Sequence, residues 1–278
     1  MNLLANFWAL FTESAPWLLL GYGIAGLINV YLPKSWLQKQ LGKASFGHSF
    51  KAAIIGAPLP LCSCGVIPTA IGLRRRGASK NATASFMVAT PETGIDSIAM
   101  TYALLGPLMA IARPIAAIFS AVLAGESVRA ILPANENYVE EAEPKSSCCG
   151  GKKNPTPTSQ LKQVFSFSYV KLLGDTVNWL LIGLIFAALI KTFVPESFMG
   201  NWGDSIVTML IMIVISIPMY ICATASTPVA AGMLLAGVSP GAILVFMLTG
   251  PATNIATLGA LSNEMGKKAV AAYLFGVV

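Results

Sequence analysis

Pro58-Leu59-Pro60-Leu61-Cys62-Ser63-Cys64-Gly65-Val66-Ile67-Pro68 interrupts an otherwise apolar run from Ala52 to Leu73. Each proline lacks an N–H, and its ring collides with the carbonyl one turn back, so Pro58, Pro60 and Pro68 together predict a break in the helix. In hydrocarbon such a break is tolerated only where protein or a polar cavity takes up the freed backbone groups. Irregular backbone carrying two thiols at that depth therefore reads as a binding site.

The surrounding composition sets the solvent. The chain has 278 residues, 55% of them hydrophobic and only 11% charged, with a mean hydropathy of +0.69. Soluble domains carry about a quarter charged residues, so the chain reads as an integral membrane protein. Its apolar windows predict helices, several shorter than the roughly 20 residues a full span needs, so broken or re-entrant segments are expected. The net charge of +6 comes from Lys and Arg in loops, as the positive-inside rule demands, and implies no nucleic-acid partner. No basic region precedes the apolar residues 3–11, so no removable signal peptide is read there. No P-loop motif and no Ser-His-Asp set around the single histidine, His48, can be found, so no enzyme and no resident cofactor are predicted.

The stretch has a second copy. A shift of 160 aligns Pro58–Ile95 with Pro218–Ile255 without a gap, and 13 of the 38 positions are identical, including Pro58/Pro218, Cys62/Cys222, Pro68/Pro228 and Pro91/Pro251. Residues 1–132 and 166–278 thus read as two transmembrane repeats, the second stopping mid-helix by comparison with the first. Residues 133–165 between them form a Pro-, Ser-, Lys- and Glu-rich linker that cannot bury a core. The Lys34–Lys51 loop and the Arg74–Lys80 connection are basic, whereas their second-half partners carry no Lys or Arg. By the positive-inside rule the halves are oppositely oriented. The fold class expected is an all-α polytopic membrane protein of two inverted repeats, with proline-broken helices meeting at the midplane. Two readings of 52–73 and 206–234 stay open, a re-entrant hairpin or one kinked span each. Further breaks are expected at Pro91-Glu92-Thr93-Gly94 and at Pro251-Ala252-Thr253-Asn254.

Thiolates are soft donors suited to Cu(I), Zn(II) and similar ions. Cys62 and Cys64, with Cys222 from the second repeat and Thr224 in the place of Cys64, are the candidate substrate ligands, three sulfurs converging at the midplane. The plain alternative is that these cysteines are small core residues. Cys148 and Cys149 in the linker form a candidate accessory capture site. Glu92 and Asp96, four apart, are candidate proton carriers if the helix resumes at once and gives them one face; otherwise they only favour the start of the next helix.

Pro58–Pro68, Arg74-Arg75-Arg76-Gly77-Ala78-Ser79 and Pro91-Glu92-Thr93-Gly94-Ile95-Asp96-Ser97 resemble the bacterial permease family that exports trivalent arsenicals, and most of all its cysteine-rich subgroup named as copper/zinc efflux transporters. The resemblance implies a multi-pass permease of the bacterial inner membrane that binds a soft metal ion or trivalent metalloid through Cys62 and Cys64. A secondary-active exporter is the reading adopted, with the bilayer as its setting and a homo-oligomer left open. The rival reading is a thiol-disulfide relay using Cys62 and Cys222, moving electrons rather than matter.

Overall fold

The computed structural model describes residues 3–31, 34–59, 61–132, 222–235 and 237–277, with scattered positions between 165 and 213. Among the described residues every regular element is helical. The first half holds α1 (Leu3–Tyr31), α2 (Lys34–Leu41), α3 (Phe46–Gly56), α4 (Ser63–Arg75), α5 (Lys80–Glu92), α6 (Ile95–Leu105) and α7 (Pro107–Ile131). The second holds α8 (Ala223–Leu235), α9 (Pro240–Ala252), α10 (Ile255–Met265) and α11 (Lys267–Val277).

The starts of α8, α9, α10 and α11 follow those of α4, α5, α6 and α7 by the same 160 residues that align the sequence. The local causes repeat as well. Ser79 and Ser239 occupy the N-caps of α5 and α9, each in the extended backbone that a cap needs. Gly106 and Gly266 end α6 and α10 at φ 86° and 88°, the left-handed conformation that L side chains resist. Packing follows the repeat too: α4 lies against α10 while α8 lies against α6, and α5 meets α9 as α7 meets α11. Exchanging the two halves maps this contact pattern onto itself.

Close approach of helices is bought with small residues. A Cβ on Gly21 of α1 would stand 2.5 Å from the Gly65 Cα of α4. Thr69 Oγ1 donates across the same contact to the Gly21 carbonyl at 3.3 Å. In lipid, where apolar surface alone gives helices little reason to associate, such contacts carry the packing.

The segment that opened the reading forms two half-helices. α3 has 11 residues and α4 has 13, about 17 and 20 Å long against a hydrocarbon core of roughly 30 Å. Their outer ends meet. The Ser79 N–H and Oγ both donate to the Leu41 carbonyl, at 2.7 and 2.9 Å, and Asn81 Nδ2 donates to the Ser45 carbonyl at 3.2 Å. α7 is long and apolar enough to cross a membrane by itself; α9 and α10 meet that test together, bent by 51°.

The proline expectation needs correction in its details. Pro68 and Pro228 lie inside α4 and α8 rather than at breaks. Each lies in the second turn of its 13-residue helix, where the missing N–H costs one bond of the ladder, and both helices continue through it. Pro91 and Pro251 are the penultimate residues of α5 and α9, and the chain leaves the helix just after them, at Thr93-Gly94 and Thr253-Asn254. Pro58 does lie in the break that follows α3. Pro60, Pro218 and residues 133–164 of the linker are outside the described residues.

Candidate functional site

The break before α4 and the break after α5 are held together. α4 and α5 pack on each other and are joined by a four-residue turn, so Cys62–Cys64 and Glu92 both lie at the ends remote from that turn. Thr93 Oγ1 donates to the Ala57 carbonyl at 3.1 Å, tying one break to the other. Cys62 is the N-cap residue of α4 in extended backbone. Its thiol closes no cap hydrogen bond of standard geometry, yet it reaches the Cys64 thiol and faces the N–H groups of Cys64 and Gly65. Unpaired N–H groups at a helix start favour a negatively charged occupant, so this end suits thiolate ligands. Cys64 is buried and Cys62 partly so, and neither is in a disulfide.

Glu92, the last residue of α5, is fully buried, as is Arg113 of α7. Their charges meet at 3.6 Å between Arg113 Nη2 and Glu92 Oε2. That distance is an ion pair rather than a hydrogen bond, and neither Glu92 oxygen accepts a hydrogen bond among the described residues. At an effective dielectric of about 20 the attraction is on the order of 4 kcal/mol, set against the large cost of removing both ions from water.

Arg113 is held far more firmly than Glu92. Its Nη1 donates to Thr101 Oγ1 at 2.9 Å, to the Ser97 carbonyl at 3.5 Å and to Thr227 Oγ1 at 3.3 Å, and its Nη2 donates to the Ala223 carbonyl at 3.3 Å. Ser97 and Thr101 belong to α6, Ala223 and Thr227 to α8. Cys222, immediately before α8, lies within electrostatic reach of the guanidinium.

The model of the predicted permease family matches residues 1–278. The chain belongs to that family. A putative two-component membrane permease complex subunit of Streptococcus mutans is 24% identical over 96% of this chain and 88% of its own length. A UPF0718 protein of Methanocaldococcus jannaschii is 23% identical over 94% of this chain and 86% of its own length. Another, from Escherichia coli, is 22% identical over 90% of this chain and 70% of its own length. No solved structure matches the chain. The permease is therefore a membrane transport protein, as its composition requires.

Within the permease, the expected convergence of three sulfurs is not met. Among the described residues no three His, Cys, Asp or Glu side chains stand close enough to hold a metal ion. The thiol of Cys62 is engaged with Cys64, whereas Cys222 is within electrostatic reach of Arg113. Thr224 is exposed. Glu92 and Asp96 do not share a face, because the helix does not resume at once. Two non-helical residues separate α5 from α6, leaving Glu92 buried and Asp96 exposed in the first turn of α6. There Asp96 suits the positive end of the helix. Asn254 caps α10 by accepting from the Thr257 N–H at 2.8 Å. Cys148 and Cys149 lie outside the described residues.

Arg113 is the functional candidate that sequence reasoning passed over. The signal was there, a single Arg inside Pro107–Leu123, which is otherwise free of charge. An ionisable residue within a membrane segment marks a functional site by default.

Proposed function

We propose that the permease is a secondary-active exporter of a soft metal ion (copper or zinc) or a trivalent metalloid, taken up by the thiols of Cys62 and Cys64. The observation that carries this reading is the pairing of the two thiols at the start of a half-helix whose preceding break is bonded to a second break. A two-thiolate site suits a soft ion of low coordination number, and Cys222 supplies a third sulfur when α8 advances during the transport cycle. Glu92, buried with its oxygens unbonded, carries the exchanged proton; the exposed Asp96 lacks that setting. Cys148 and Cys149 capture the ion from the cytoplasm and pass it on by ligand exchange.

The halves form an inverted repeat in the bacterial inner membrane. Arg75, at the end of α4, pairs with Glu264, near the end of α10, at 3.3 Å. This brings the basic Arg74–Arg76 turn beside Lys267 and Lys268. In two parallel repeats Glu264 would share the side of Leu104, its counterpart, at the far end of the α5–α6 segment from Arg75. The meeting of Ser79 with Leu41 and of Asn81 with Ser45 likewise supports a re-entrant hairpin for α3 and α4, which enters and leaves on one face.

Transport by the purified full-length permease in proteoliposomes tests the proposal, with Zn(II), Cu(I) and arsenite offered in turn under an imposed pH gradient. One of the three should move against its gradient, and Cys62→Ser with Cys64→Ser should abolish that movement. Unimpaired transport of every substrate by the double variant refutes it.

A further inference from the structure

Arg113 joins what the repeats otherwise keep apart. Its guanidinium is fed by two matching acceptor pairs. In α6, Thr101 donates its own hydroxyl to the Ser97 carbonyl at 2.7 Å and offers its lone pair to Arg113. In α8, Thr227 does the same with the Ala223 carbonyl at 2.9 Å. Glu92 faces the guanidinium from a third helix, α5. The repeat-equivalent of Arg113 is Tyr273, whose hydroxyl donates at 2.8 Å to the carbonyl of Ala252, the equivalent of Glu92. The second half therefore has the same contact with no charge in it.

We infer that Arg113 is a positioning residue that transmits the charge of Glu92 to the start of α8, and so to Cys222, across the repeat boundary. With Glu92 ionised, the guanidinium is shared between the carboxylate and the Ala223–Thr227 acceptors. With Glu92 neutral, the pull at 3.6 Å is gone, and Arg113 settles fully on α8. The inference rests on the proposed export reading for its use, since it links the proposed proton carrier to a proposed substrate ligand.

Other charged and titratable groups near the node are few. Tyr273 is within electrostatic reach of Glu92, and Cys222 of Arg113. Ser49 and Glu126 bond to each other, and Ser49 to Asn81, at the opposite end of α5. α9, which also packs on α5, contains no titratable side chain.

Amide hydrogen exchange of the full chain in lipid nanodiscs, read on α8 at fixed pH without any substrate, tests this. Glu92→Gln should slow α8 exchange by at least about fivefold, the low end of ordinary coupling between sites. The same substitution made on Arg113→Gln should leave α8 unchanged, Arg113→Lys should restore part of the response, and Thr227→Val should weaken it. Because Arg113→Gln alone strands a buried carboxylate, the double variant Glu92→Gln with Arg113→Gln supplies a charge-balanced background. An equal effect of Glu92→Gln with Gln or Arg at 113, or no effect on α8 in any background, overturns the inference. Failure of metal or arsenite transport would sink the export reading and leave this result standing.

Discussion

At the break after α5 the last helical residue is Glu92, facing Arg113 of α7; at the equivalent break after α9 it is Ala252, whose carbonyl takes a bond from Tyr273 of α11. The backbones correspond residue by residue, down to the glycines at φ 86° and 88°. The chemistry does not. Among the described residues the two copies share helix starts, the serine N-caps of α5 and α9 and the positive-φ glycines, while the charged pair of the first has no charged equivalent in the second. A buried charge is costly in hydrocarbon and marks a functional position, and among the described residues the buried Glu92–Arg113 pair has no charged counterpart at Ala252 and Tyr273.

Substitutions at equivalent positions should then divide into those that respect the repeat and those that do not. The largest effect is expected at Arg113. Arg113→Gln leaves Glu92 buried without a partner and should cost about 3–5 kcal/mol of stability, most of it recovered by adding Glu92→Gln. Thermal unfolding in detergent, compared among the three variants, checks the recovery. Gly106→Ala and Gly266→Ala should each cost about 1–2 kcal/mol, and equally, because both impose the same left-handed backbone on a residue with open space around it. Unequal shifts in the same unfolding assay would show that the repeat is less faithful than its dihedrals suggest. Tyr273→Phe removes one hydrogen bond from a carbonyl and should cost about 1 kcal/mol, well short of Arg113→Gln. The smallest effect is expected from Asn254→Gly, which gives the second break the residue that the first has at Gly94; it should cost a few tenths of a kcal/mol.

Much of this arrangement could be read from the chain. The prolines flanking Cys62 announced the break before α4, and the gapless 160-residue alignment anticipated matching helix boundaries. What was misread has local causes. Pro68 and Pro228 predict breaks, but α4 and α8 continue through them, each giving up one bond of its ladder. For Glu92 and Asp96 the four-residue spacing leaves two readings, one face or a helix start, and the non-helical Thr93-Gly94 decides against the shared face and puts Asp96 in the first turn of α6. The partners of Arg113 were illegible because they come from α5, α6 and α8, the last more than 100 positions away in sequence, and side-chain meetings of that kind leave no periodic trace.

The most direct test of the account is element-resolved mass spectrometry of the reduced, purified full-length permease, beside the Cys62→Ser and Cys64→Ser double variant. The account predicts copper, zinc or arsenic bound in stoichiometric amount to the wild type after exposure to each, and absent from the variant. Intact reduced thiols with no element bound, or equal loading of the variant, would contradict it.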